Sequence, residues 1–349
     1  MSHDYRAVQW TPFKKTYDLF LGLGIVGFIA AFVVLSAMTQ PAGESFAPIQ
    51  LLIAATGTLA FSLLTFVLSI GPLARLTDRA KPFLYNRRHL GVVTFLLGLM
   101  HGGLVLLWYH GFSETNALVS LLASNPRYDS LQGFPFESLG VIAFFVLFVM
   151  AATSHDFWNA NLGPGLWKAI HMSVYVAYAL LVGHVMLGFI QSQKSLIYTA
   201  LMSMGSVWLV SIHLLASFKS SPAVGHTDGT WLSVAPVGAF KEGRAQIATP
   251  PKGERIAIFL PRGALSAVSN VCRHQGGPLA EGKVIDDCIT CPWHGFQYRL
   301  RDGRSPEPFT EKIATYNVKV EAGEVYVDPH PNPPGTDVQP VLLGEARTA

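Results

Sequence analysis

The chain has 349 residues, of which 50% are hydrophobic and only 13% charged, with a mean hydropathy of +0.35. That balance excludes an ordinary water-soluble globular protein and fits a chain that turns much of its surface to lipid. The formal net charge of +3 is spread over short basic stretches between apolar runs, so no continuous basic face exists and nucleic acid is excluded as a partner.

The N-terminal stretch MSHDYRAVQWTPFKK is basic. The apolar run behind it is too long for a signal-peptide core and has no small-residue cleavage site, so it is expected to stay as a first span. Six apolar segments reach or approach the length needed to cross about 30 Å of hydrocarbon as helices. They are Tyr17–Met38, Ile49–Gly71, Leu90–Tyr109, Leu139–Thr153, Leu166–Phe189 and Leu196–Phe218, the fourth being short. Breaks are expected at Pro41 with Gly43, at Gly71 with Pro72, and at Gly163–Gly165. Arg6, Lys14, Lys15, Arg75, Arg79, Lys81, Arg87, Arg88, Lys168 and Lys219 fall on one side of these spans, against Arg127 and Lys194 on the other. The excess predicts that the N-terminus and, with an even number of spans, the C-terminus are cytoplasmic.

Beyond Phe218 the character changes. KSSPAVGHTDGT is a polar linker, and the short runs RIAIFL, ATYNVKV and EVYVDP, parted by Gly, Pro and Asp, predict a small all-β domain. The final stretch, from HPNPPGTDVQP onward, is proline-rich and expected to be an extended tail. No internal repeat is apparent.

All three cysteines lie between residues 272 and 291, which makes a disulfide framework a poor explanation and metal binding a better one. The pattern is Cys272-x-His274, then Cys291-x-x-His294, each in a Gly- and Pro-rich loop. Two thiolates and two imidazoles suit zinc in kind, but zinc sites usually open with two cysteines a few residues apart. Here each half pairs one cysteine with one histidine, which suits a cluster whose two irons take different ligands.

CRHQGGPL and CPWHGFQY resemble the two halves of a Rieske [2Fe-2S] domain, over about residues 228–330. The resemblance implies that Cys272 and Cys291 hold the buried iron and that His274 and His294 hold the outer one. Rieske proteins of quinol-oxidising complexes add a disulfide-forming cysteine to each loop and a serine that donates to a cluster sulfur. Those places hold Gly277 or a neighbour, Trp293 and Phe296 here, which implies the lower-potential ferredoxin and oxygenase type. Tyr298 remains as a donor. The spacing of Cys288 in CITC alone suits a redox dithiol, but with Cys291 engaged Cys288 is expected to be a small apolar residue. SPEPFTEK (Ser305–Lys312) is either the proline-rich loop that covers the cluster in this family or an ordinary turn.

Ionisable residues inside membrane spans are costly and usually functional. His101 lies mid-span in GLMHGGLVLLWYHG, and His171 and His184 lie in LWKAIHMSVYVAYALLVGHVMLG, with glycines beside two of the three. RRHLG before His101 and WKAIH with VY before His184 resemble the ferric reductase-like transmembrane family between Arg87 and Gly188. The resemblance implies one or two b-type haems with bis-histidine or similar ligation between the third and fifth spans. His101 pairs with His184 in that scheme, and His171 pairs with a group near the start of the third span, for which His89 is the candidate. At about 100° per residue His89 and His101 fall about 120° apart on a helix, while Arg87 falls nearly on the face of His101. Arg87 and Arg88 are read as an inside anchor or as contacts to haem propionates. His110 and His155 are expected at solvated span ends, and His213 as a structural group.

The expected organisation is an all-α six-helix transmembrane bundle (1–218, ferric reductase-like and haem-binding), a linker (219–227), a small all-β Rieske domain (228–330) and a tail (331–349). The expected function is transfer of single electrons between a cytoplasmic donor reductase, the [2Fe-2S] cluster, haem b and a periplasmic or membrane acceptor. The setting is the lipid of a bacterial inner membrane, with the Rieske domain cytoplasmic. No glycine fingerprint for flavin or nicotinamide is present, so hydride chemistry belongs to a partner. The alternatives are a quinol-linked oxidoreductase and a membrane-anchored Rieske ferredoxin serving a cytoplasmic oxygenase.

Overall fold

The computed structural model describes residues 12–39, 46–84, 86–112, 114–123, 129–130, 133–154, 156–192, 196–219, 227–228, 231–242, 244–274, 276–292, 295–307 and 309–343. Its first part is helical: α1 (Pro12–Met38), α2 (Pro48–Leu76), α3 (Lys81–Leu84), α4 (Arg87–Val105), α5 (Ala117–Ala123), α6 (Phe136–Thr153), α7 (Asp156–Met172), α8 (Val174–Ser192) and α9 (Leu196–Lys219). Lys15–Met38, Pro48–Leu76, Arg87–His110, Phe136–Thr153 and Leu166–Gly188 are long and apolar enough to cross a membrane, and Met202–Phe218 is a further apolar helix. None of the most apolar stretch of α1 is buried, and Leu19, Phe20, Val34 and Leu35 stand exposed on it. A helix that leaves so many apolar side chains in the open suits lipid as its solvent.

Two of the expected breaks are absent. Pro72 lies inside α2, and Gly163–Gly165 lie inside α7. A proline inside a helix costs about 3 kcal/mol, but at Pro72, within the Pro48–Leu76 span, unwinding in hydrocarbon would strand several backbone polar groups, which costs more. In the fifth span the helix is interrupted only at Ser173, between α7 and α8, where the Ser173 hydroxyl donates to the Ile170 carbonyl. The fourth span begins earlier than expected, at Phe136, and reaches 18 residues. A single π-helical turn, Leu106–His110, extends α4. Pro41, Gly43, Arg6, Arg127, Lys194, His155 and residues 220–226 of the linker lie outside the described residues.

The chain divides into two compact units: Met1–Thr65, Gly91–Phe148 and Val174–Met202 form one, and Phe66–Leu90, Val149–Ser173 and Ser203–Ala349 form the other. In the first, Phe61 stacks on Tyr178, whose hydroxyl lies 3.1 Å from Thr65 Oγ1, and Phe95 stacks on Phe144. In the second, Trp208 Nε1 donates to Ser69 Oγ and Trp167 Nε1 donates to the Thr153 carbonyl.

The second unit also contains the β domain. Its strands are β1 (Thr227–Asp228), β2 (Trp231–Pro236), β3 (Ala245–Ala248), β4 (Ile256–Phe259), β5 (Ala264–Ser269), β6 (Lys283–Ile285), β7 (Cys288–Thr290), β8 (Gln297–Arg299), β9 (Thr315–Tyr316), β10 (Val318–Glu321), β11 (Glu324–Val327) and β12 (Val341–Leu342). They form three antiparallel sheets, ordered β1-β2-β11-β10, β12-β5-β4-β3 with β9 also on β5, and β6-β7-β8. All four residues of β4 are buried. Ile256 and Ile258 enter a core with Leu232, Val325 and Val327, while Ala257 and Phe259 enter a second core with Ile289, Tyr298 and Ile313. Successive strand side chains point to opposite faces, so one strand serves both cores. Asp286 and Asp287, both at positive φ, make the two-residue turn that joins β6 to β7.

The proline-rich segment is extended, as its composition implies, but it is laid along the domain. Its contacts include the Asn332 N–H to the Thr315 carbonyl at 2.9 Å, Arg301 to Asp337 at 2.8 Å, and β12 against β5.

Candidate metal centres

The loops after β5 and β7 have the same backbone form. The Cys272 N–H donates to the Gly277 carbonyl (2.9 Å) and the Cys272 carbonyl accepts from Gly276 N–H (2.6 Å). The Cys291 N–H donates to the Phe296 carbonyl (2.7 Å) and the Cys291 carbonyl accepts from Gly295 N–H (2.9 Å). The glycine four residues after each cysteine has φ of 71° (Gly276) or 72° (Gly295). A side chain there costs about 1–2 kcal/mol, which accounts for the shared C-x-x-x-G of CRHQG and CPWHG. That spacing was present in the sequence, but attention to cysteine and histidine alone passes over it.

Cys272 and Cys291 are both buried, in the same apolar cluster as Phe259, Ile289 and Tyr298, and no disulfide joins any of the three cysteines. His274 is half-buried with its Nδ1 atom shielded from solvent, and its ring stacks on Phe296 at 5.0 Å and 12°. Phe309, from the SPEPFTEK segment, packs on Phe296 at 4.8 Å, so that segment lies over the aromatic group beside His274. His294 and Trp293 lie outside the described residues. Among the described residues no three His, Cys, Asp or Glu side chains gather as a site for one ion, and a binuclear cluster ligated in pairs needs no such trio.

Tyr298 is fully buried, with its hydroxyl 3.5 Å from Cys272 Sγ and accepting the Arg273 N–H at 3.0 Å. Burial and then the adjoining Cys272 push the phenol far above its ordinary value, so it keeps its proton and remains a donor to sulfur. Cys288 sits on β7 across from Ile285 and Arg299. Burial pushes its thiol up, which makes it a poor nucleophile.

The first unit brings two of the membrane histidines together. His101 on α4 and His184 on α8 have ring centroids 6.4 Å apart and planes at 85°. Nδ1 of His101 lies 3.0 Å from the Ile53 carbonyl, and Nδ1 of His184 lies 2.9 Å from the Phe136 carbonyl. A carbonyl only accepts, so Nδ1 carries the proton in both rings and Nε2 keeps its lone pair, as in a metal-binding imidazole. Two such nitrogens, on rings 6.4 Å apart and carried by different helices, are a donor set that would suit one haem iron.

His171 is placed differently, in the second unit. Its Nδ1 lies 3.0 Å from the Trp167 carbonyl, its Nε2 lies 3.3 Å from Ser154 Oγ, and its ring stacks on Trp167 at 3.8 Å. Arg87 and Arg88 lie within electrostatic range of it. His89 is exposed on the first turn of α4. His110, expected to be solvated, is buried with Nδ1 3.0 Å from Ser120 Oγ. His213 Nδ1 meets the Leu209 carbonyl one turn back.

Apolar helices followed by a β domain with paired cysteine loops define a membrane protein of electron transfer. Residues 56–182 match the family described as ferric reductase like transmembrane component, and over residues 230–317 the chain belongs to the Rieske [2Fe-2S] domain family. It is 34% identical over 96 residues to the 3-phenylpropionate/cinnamic acid dioxygenase ferredoxin subunit of Escherichia coli (strain K12), spanning 27% of this chain and 88% of that protein. It is 40% identical over 67 residues to cholesterol 7-desaturase nvd of Xenopus laevis, a match of 18% of this chain and 15% of that protein. Among solved structures, the Sphingomonas yanoikuyae B1 ferredoxin aligns with a TM-score of 0.27 at 27% identity, covering 28% of this chain and 98% of that one.

Proposed function

We propose that this chain carries single electrons between a Rieske cluster held by its β domain and haem b held by its membrane helices. In this reading residues 1–218 form the haem domain, 219–227 the linker, 228–330 the Rieske domain and 331–349 a C-terminal extension. The cluster chemistry supplies a one-electron carrier. Cys272 and Cys291 would hold its buried iron, His274 and His294 its outer iron, and Tyr298 would donate to the sulfur of Cys272. The haem, a second one-electron carrier, would be held by His101 and His184. His171, with Arg87, Arg88 and His89 on the same side, is the candidate for a second haem or for binding its propionates.

The observation that carries this reading is the His101–His184 pair, 6.4 Å apart with each Nδ1 held by a backbone carbonyl. These two rings face each other from different helices, each anchored at Nδ1 by a carbonyl of yet another helix. The basic residues of the connections support a cytoplasmic Rieske domain in a bacterial inner membrane, a reductase as donor and an acceptor at or beyond the outer face. Each centre takes one electron at a time, so a hydride donor reaches the chain only through a partner that splits the pair. Replacing His294 by Ala is expected to abolish reduction of the bound haem by the donor reductase. Normal haem reduction in that variant would remove the cluster from the path.

Relatedness to a dioxygenase ferredoxin subunit favours a second reading, in which the helices are an anchor and the Rieske domain serves a cytoplasmic oxygenase. Purified protein without haem absorbance would select it.

A further inference from the structure

His101 and His184 are held by one arrangement used twice. His101 meets the Ile53 carbonyl on α2, and one helical turn on, at Gly57, an added Cβ would stand 2.9 Å from His101 Nδ1 and Cε1. His184 meets the Phe136 carbonyl on α6, and one turn on, at Gly140, an added Cβ would stand 2.8 Å from His184 Nδ1 and 2.9 Å from its Cε1. In each case the carbonyl belongs to the residue four before the glycine, the acceptor of that glycine's own helical N–H. The spacings are identical in the two halves: 44 residues from Gly57 to His101 and from Gly140 to His184, and 48 from each carbonyl to its histidine. The absence of a repeat in the residue pattern therefore conceals a repeat in geometry, because its shared residues are two glycines and two backbone oxygens.

We infer that Gly57 and Gly140 are the positioning residues of the haem site, each clearing the space through which a histidine reaches a helix carbonyl that fixes its tautomer and ring plane. The inference rests on the reading that His101 and His184 bind haem. Contacts below 3.0 Å to a ring anchored at Nδ1 leave a methyl group no room unless the ring turns or the carbonyl bond breaks. Either change alters the ligand field at Nε2 while leaving both histidines present. Loss of such an orienting contact typically weakens metal binding about 10-fold to 100-fold.

The test uses the full-length purified protein and compares Gly57→Ala and Gly140→Ala with Gly98→Ala, a glycine on α4 where an added Cβ meets nothing within 4 Å. The readouts are haem content and the low-spin haem EPR signal, with the iron-sulfur EPR signal as an internal reference for the amount of chain. Both positioning variants are expected to lose haem about 10-fold more readily or to shift the low-spin g values, with the iron-sulfur signal and Gly98→Ala unchanged. Wild-type haem content and g values in both would overturn the inference. If a positioning variant loses haem altogether, imidazole added to Gly57→Ala/His101→Gly is expected to restore the low-spin signal, since the added ligand is not tethered. Failure to restore it would mean the fold was lost and would also overturn the inference. His101→Ala and His184→Ala separate the two levels: if they keep the wild-type low-spin signal, the haem reading itself fails.

Discussion

Tyr298 tests the cluster at a single atom. Its hydroxyl lies 3.5 Å from Cys272 Sγ while accepting the Arg273 N–H, and a donor to sulfur favours the more negative, reduced cluster. A hydrogen bond worth about 1 kcal/mol corresponds to about 40 mV for one electron. Tyr298→Phe is therefore expected to lower the midpoint potential by about that amount, read by a redox titration of the iron-sulfur EPR signal, and an unchanged potential would contradict the role. Cys288 gives the opposite expectation. Its thiol is raised above the ordinary value of 9.0 by burial, so the native state keeps a proton that the unfolded chain gives up. The stability it contributes is intact below that ordinary value and is lost as pH rises through the native one. Cys288→Ala is expected to keep the cluster signal and to lessen the fall in stability as pH rises above the ordinary thiol value of 9.0, measured by urea unfolding.

At the scale of elements, the two cysteine loops depend on left-handed glycines at the same position. Gly276→Ala and Gly295→Ala are each expected to cost about 1–2 kcal/mol and to lower the iron and acid-labile sulfide recovered per chain. Gly238→Ala, where an added Cβ meets nothing within 4 Å, is expected to leave both unchanged. Much of this architecture was legible in the residues. Apolar length located the helices, and RIAIFL, ATYNVKV and EVYVDP located β4, β9 with β10, and β11. What misled was punctuation: Gly71–Pro72 and Gly163–Gly165 end helices in water, but here they lie within α2 and α7. In the candidate sites, cysteine and histidine announce chemistry, whereas Gly57, Gly140 and the carbonyls of Ile53 and Phe136 act through absence of volume and through backbone. Residue types do not reveal those roles until helices are paired.

At the scale of the whole molecule, the chain couples a β domain that presents a Rieske-type loop pair to helices that present an imidazole pair. A soluble ferredoxin needs no second centre and a haem protein needs no iron-sulfur cradle, and their union in one chain supports the proposal that electrons pass between them. The most direct test of that claim is a stepwise reductive titration of the purified full-length protein followed by optical absorption and EPR together. A Rieske-type signal is expected to appear on reduction and a low-spin haem to reduce in the same chain, with iron in excess of the haem by the two atoms of one cluster. A protein that shows only one of the two centres would contradict it.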